Sequence, residues 1–85
     1  MHIQIYLPKS LEILNCGNTK ISFLPELPES LKELYCNNTN ISELPELPDS
    51  LKELYCSNTN IKEIPRKFYN QQSYRWLRKN NIKAI

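Results

Sequence analysis

The apolar positions of this chain recur in a fixed frame. Leu11, Leu14, Cys16, Thr19, Ile21 and Leu24 are answered by Leu31, Leu34, Cys36, Thr39, Ile41 and Leu44. They are answered again by Leu51, Leu54, Cys56, Thr59, Ile61 and Ile64. The pattern L-x-x-L-x-C-x-x-T-x-I-x-x-L/I-P thus stands three times, 20 residues apart and without insertion. The unit Leu27 to Glu46 shares 15 of 20 positions with Leu47 to Arg66 and 13 of 20 with Leu7 to Glu26. A period of this length marks an array whose units are each too small to close around their own apolar side, so that stacking buries a continuous column. Residues two apart share a face of extended backbone. Each Leu-x-Cys therefore predicts a short strand with both side chains turned inward.

The polar punctuation fills in the rest of the unit. Each copy opens with Leu-Pro-x-Ser, and proline both fixes φ and pushes the preceding residue toward extended backbone. Two prolines within four residues (Pro25/Pro28 and Pro45/Pro48) predict polyproline-like chain on the side away from the strands, and argue against a helix there. Ser10, Ser30 and Ser50 read as hydroxyls that bond turn backbone; no base accompanies them that would make a nucleophile. Asn18, Asn38 and Asn58 flank the threonines and suit a turn.

Outside the three copies the period fails. Met1 to Tyr6 alternates, with Ile3 and Ile5 on one side, and reads as an N-terminal strand lying over the first unit. After Pro65 the predicted cap is a helix over Gln71 to Lys79, with Asn70 as N-cap, ended near Asn80-Asn81. Ile82, Ala84 and Ile85 then return as a last strand beside the third unit. Phe68, Tyr69, Trp76 and Leu77 would hide the open end of the stack. The 85 residues are read as one domain: 1–6 the N-terminal strand, 7–26, 27–46 and 47–66 the repeats, and 67–85 the C-terminal cap.

On these motifs the chain resembles the leucine-rich repeat superfamily, whose L-x-x-L-x-L-x-x-N-x-L is matched with Cys at the sixth position and Thr at the ninth. The 20-residue LPxSLxxLxC unit is similar to the repeats of secreted effectors of Gram-negative pathogens, and to short Asn- and Lys-rich forms encoded by giant DNA viruses. The resemblance implies an α/β repeat solenoid: a short curved parallel sheet on the concave side, extended backbone on the convex side and a helical cap. It also implies that the ninth position bonds the backbone of the neighbouring turn, here through the hydroxyls of Thr19, Thr39 and Thr59. Ubiquitinating effectors of this kind carry a large separate catalytic domain. This chain has no room for one, and that activity is not carried over.

Charge changes the picture of the tail. Residues 1–65 hold five lysines against nine acidic residues, a net −4, whereas 66–85 hold six basic residues and no acid, a net +6. The segment with Arg75, Arg78 and Lys79, interleaved with Phe68, Tyr69, Tyr74 and Trp76, offers phosphate contacts and base stacking. The preferred reading of the same segment is a solvated cap with its aromatics turned in. A third use is contact between the basic cap of one molecule and an acidic surface of the next.

No run of some 18 apolar residues predicts a membrane helix, and the N-terminus lacks the layout of a secretory signal. The three cysteines fall in one inward column and read as small buried thiols in a reducing, cytoplasmic setting. Cysteines at the same phase point the same way and do not favour a disulfide. A zinc site would need a fourth ligand, and the only histidine is the isolated His2. Neither cofactor nor metal is expected.

The outward strand positions remain for function. Tyr35 and Tyr55 should lie side by side, since neighbouring strands are about 4.8 Å apart. Glu33, Glu53, Lys32, Lys52 and Asn15 surround them. Paired exposed tyrosines supply rigid amphipathic contact area suited to a partner protein; they also support one another across a sheet without any partner. Glu33 and Glu53 as an acid pair would need an enclosing pocket, which a short open arc lacks. The expected function is a non-enzymatic protein–protein interaction module. The alternatives are nucleic-acid binding through the tail or a structural subunit of a larger assembly.

Overall fold

The computed structural model describes residues 6–85. The N-terminal strand expected over 1–6, with His2, Ile3 and Ile5, lies outside the described residues except for Tyr6, which is highly exposed and in no strand. Among the described residues are five strands and two short helices. In chain order they are β1 (Ile13–Asn15), β2 (Glu33–Tyr35), β3 (Glu53–Tyr55), β4 (Glu63–Ile64), α1 (Arg66–Tyr69), α2 (Tyr74–Lys79) and β5 (Lys83–Ala84).

β1, β2 and β3 form a parallel sheet in that order, in a register that shifts by 20 residues per strand: Leu14 faces Leu34, and Leu34 faces Leu54. Each strand is the Leu-x-Cys segment of its unit, displaced by one residue toward the N-terminus. Leu31, Leu34, Cys36 and Ile41 are fully buried, as are Leu51, Leu54, Cys56 and Ile64. Their first-unit equivalents Leu11, Leu14, Cys16, Ile21 and Leu24 are only half-buried. The second unit is covered by a unit on each side, and the third by the second unit and the C-terminal segment with Phe68, Trp76, Leu77 and Ile82.

The turn after each strand is built from two side chains. Asn18, Asn38 and Asn58 hold φ of 59°, 56° and 59°, the left-handed region that Asn tolerates better than most residues. Thr19, Thr39 and Thr59 then donate their hydroxyls to the carbonyls of Cys16, Cys36 and Cys56 at 2.8 Å. The resemblance implied that the threonines bond the next turn; instead each hydroxyl is too short to leave its own. Side-chain bonds to the neighbouring turn come from serine and asparagine: Ser30 donates to the Leu11 carbonyl and Ser50 to that of Leu31, both at 2.6 Å, and the Asn40 and Asn60 amides donate to the Lys20 and Asn40 carbonyls at 3.4 Å. Neither strand nor helix occurs between the turn and the next strand in the first two units. In the third unit that stretch contains β4, which pairs in parallel with β5. The expected last strand is therefore present, set beside Glu63–Ile64.

The C-terminal segment differs from the single helix expected. Asn70 is helical and closes α1. The N-cap of α2 is Ser73, whose hydroxyl accepts from the Trp76 N–H at 3.4 Å. Gln71 and Gln72 lie between the helices because their side chains are engaged by β3. The helix does end where predicted, at Asn80, with Asn81 at φ 51°. Phe68, Trp76, Leu77 and Ile82 join the core of the stack.

Candidate functional site

Because Leu34 and Leu54 point inward, the residues on either side of them in β2 and β3 point out. The exposed face of the sheet is two rows read across the strands: Ile13, Glu33, Glu53 and Asn15, Tyr35, Tyr55. The second row is ordered by stacking. The Tyr35 and Tyr55 rings lie 4.9 Å apart between centroids and 13° from parallel. Each phenol also donates to the glutamate two residues before it, Tyr35 to Glu33 at 2.6 Å and Tyr55 to Glu53 at 2.7 Å. Such a bond to a charged acceptor is among the stronger ones available. The Tyr35 hydroxyl is pushed up to about 12 chiefly because Glu33 holds its proton, and Tyr55 is raised for the same reason through Glu53. All four side chains are half-buried.

The remaining predicted residues divide. Asn15, on the same row, is turned back on its own chain and accepts from the Gly17 N–H at 3.1 Å. Lys32 is exposed and pairs with Glu12 at 3.2 Å. Lys52 is also exposed. Arg75, Arg78 and Lys79 stand together on α2, away from both tyrosines in sequence, and are exposed. Of the aromatic residues once offered for base stacking, Phe68 and Trp76 are buried and Tyr69 donates its hydroxyl to the Ile82 carbonyl. Only Tyr74 is highly exposed, and its ring already lies under the Arg78 guanidinium at 5.5 Å.

The cysteine column is buried as a set of free thiols, fully for Cys36 and Cys56 and partly for Cys16. Burial pushes all three thiols up, Cys56 to about 12. Among the described residues no group of His, Cys, Asp or Glu is placed to hold a metal ion.

Two residues escaped the sequence reading: Gln71 and Gln72. The Gln71 amide accepts from the Leu54 N–H at 2.8 Å and donates to the Lys52 carbonyl at 3.1 Å. The Gln72 amide accepts from the Cys56 N–H at 2.7 Å and donates to the Leu54 and Phe68 carbonyls. Together they supply the donors and acceptors of a fourth strand along the free edge of β3. The signal was a pair of amide side chains just where the period fails, one of them destined to be buried.

A model of the Leucine Rich Repeat family matches residues 50–71, which hold β3 and the first of its two glutamine partners, Gln71. No curated protein matches the chain. The same unit stands twice more upstream on strands in one parallel sheet, so the match supports a leucine-rich repeat protein. Domains of that family are in general protein-interaction modules. No helix among the described residues is long and apolar enough to cross a membrane.

Proposed function

We propose that the chain is a non-enzymatic interaction module: a three-repeat solenoid with a C-terminal helical cap, working in a reducing compartment. Its exposed sheet face binds a partner protein. Tyr35 and Tyr55 form the centre of the contact, Glu33 and Glu53 hold them, and Lys32, Lys52 and Asn15 form the rim. The observation that carries this reading is the stacked tyrosine pair fixed at both hydroxyls. Two large side chains are held in one geometry before any partner arrives, so little side-chain entropy remains to be lost on binding. Aromatic residues of this kind are also the ones that dominate interface energetics.

The test is affinity capture from a lysate treated with nuclease, with wild type beside Tyr35→Ser/Tyr55→Ser. Proteins retained by wild type and lost by the variant support the site, provided the variant keeps its thermal midpoint. Equal capture by both refutes it. Capture that vanishes with nuclease would move the function to Arg75, Arg78 and Lys79, a reading that the burial of Phe68 and Trp76 disfavours.

A further inference from the structure

The charges of this chain are separated, and among the described residues most of them are unpaired. Among the described residues the only salt bridge is Lys32 to Glu12. The six basic residues of 66–85 therefore have no ionic partner among those residues, and neither do Glu33 and Glu53. The sheet face and α2 are complementary in other ways too. On the face, both phenol protons are committed to Glu33 and Glu53, which leaves carboxylate and phenol oxygens as acceptors. On α2, Arg75, Arg78 and Lys79 are spaced i, i+3, i+4 and share one side of the helix; they are donors only. Each surface also carries an exposed apolar side chain: Ile13 is 54% exposed beside Glu33, and Tyr74 is 70% exposed at the start of α2. The Arg78 guanidinium already rests on a tyrosine ring of its own chain, which is the contact it would repeat on Tyr35 or Tyr55.

From this charge complementarity we propose that the occupant of the sheet face is α2 of a second copy of this chain. This rests on the reading of that face as a binding site. The contact is heterologous: face of one copy, helix of the next. It leaves one free surface of each kind at the ends of every assembly, so it propagates unless the rotation closes a ring. Guanidinium over tyrosine contributes attraction beyond charge alone. Charges at the rim of such a contact act mainly on association rate and partner choice, and are screened by salt.

The experiment is sedimentation equilibrium of the full chain up to about 1 mM, the weak end of specific association, at low and at high salt. Wild type is expected to associate at low salt, with an association constant that falls about tenfold or more at high salt. Two variants reverse the charges: Glu33→Arg/Glu53→Arg on the face, and Arg75→Glu/Arg78→Glu/Lys79→Glu on the helix. Each alone is expected to be monomeric and each to keep a cooperative thermal transition. Mixed, they are expected to co-assemble, because every contact between them pairs opposite charges. Three results would overturn the proposal: wild type monomeric throughout, association surviving in either variant alone, or variants that stay apart when mixed. A monomeric wild type that still captures lysate proteins through Tyr35 and Tyr55 would overturn the second copy as occupant and leave the face standing. Loss of both would remove the face as well.

Discussion

Gln72 offers the sharpest test of how this stack ends. Its side chain is 7% exposed, and it stands where the backbone of a fourth strand would stand. Replacing it with Ala leaves the Cys56 N–H and the Leu54 carbonyl without their partner. The Phe68 carbonyl keeps another, since the Gln71 N–H also bonds it at 3.1 Å. A buried polar group left unsatisfied costs about 1–3 kcal/mol. Two such groups, less what water recovers at the edge of the sheet, give a loss of about 2–4 kcal/mol. That is a large share of the stability of so small a domain. Gln71 is the internal control: its bonds sit at a half-buried, partly exposed position. There water replaces the amide, and Ala should cost about 1 kcal/mol or less. Urea unfolding of both variants, with hydrogen exchange at the Cys56 amide, reads the difference. A Gln72→Ala variant within about 0.5 kcal/mol of wild type, or no faster exchange at Cys56, would refute the strand-substitute reasoning. Gln72→Glu separates donor from acceptor. It keeps the acceptor for Cys56 but sets a carboxylate oxygen against the Leu54 carbonyl, so it should destabilise at neutral pH and recover as the acid protonates.

Other outcomes follow from the same geometry. Leu34→Ala empties a fully buried site and should cost about 2–5 kcal/mol, against clearly less for Leu14→Ala at the half-buried first unit; equal losses in urea titrations would contradict the burial gradient. Alkylation of the native chain at mildly alkaline pH, followed by mass spectrometry, should label Cys16 first, with Cys36 and Cys56 reacting only as the chain opens. The Tyr35 hydroxyl holds its proton to about 12, whereas an unfolded tyrosine releases it near 10. The folded state therefore binds more protons between those values, so the tyrosine contribution to stability is complete below pH 10 and declines as pH rises toward 12. Phenolate absorbance of wild type minus Tyr35→Phe should rise late in that window, and Glu33→Gln should bring it earlier.

Much of the fold was legible because the repeat over-determines it. Leu34 and Cys36 have counterparts at the same phase in every unit, and only one orientation buries all of them. The strand direction, the register and the stacked tyrosines follow from the 20-residue shift alone. The tail had no such redundancy. Asn70 and Ser73 are both acceptable N-caps by residue type, and the choice went to Ser73 because Gln71 and Gln72 are held by β3 and cannot be helical. That demand comes from unpaired strand groups some 17 residues upstream, which no local pattern displays. The ninth position misled for a related reason. Thr39 fills the slot of an asparagine, but its side chain is shorter, and it satisfies the carbonyl of Cys36 within its own turn.

The repeat also divides the chain by how freely each position can vary. Leu, Cys, Thr and the turn Asn are fixed by the stack: each buries an inward column or holds a turn in the left-handed region, so their recurrence carries information about packing and none about a partner. The outward strand positions are under no such demand. Yet they are not random across the units. The row Ile13, Glu33, Glu53 and the row Asn15, Tyr35, Tyr55 both change between the first unit and the second, and both then hold. If Tyr35 and Tyr55 served only to support each other, either ring could be replaced together with its glutamate at little cost, since exposed cross-strand pairs contribute about 0.2–1 kcal/mol. Replacing both tyrosines and both glutamates by Thr and Lys, residues that a strand accepts, separates the two accounts. Near-normal stability with loss of all association would show that the pairs are kept for what they contact. A stability loss beyond about 2 kcal/mol, the most that two exposed pairs at this strength should cost, would instead make the ladder a structural device, and would return the binding face to an open question.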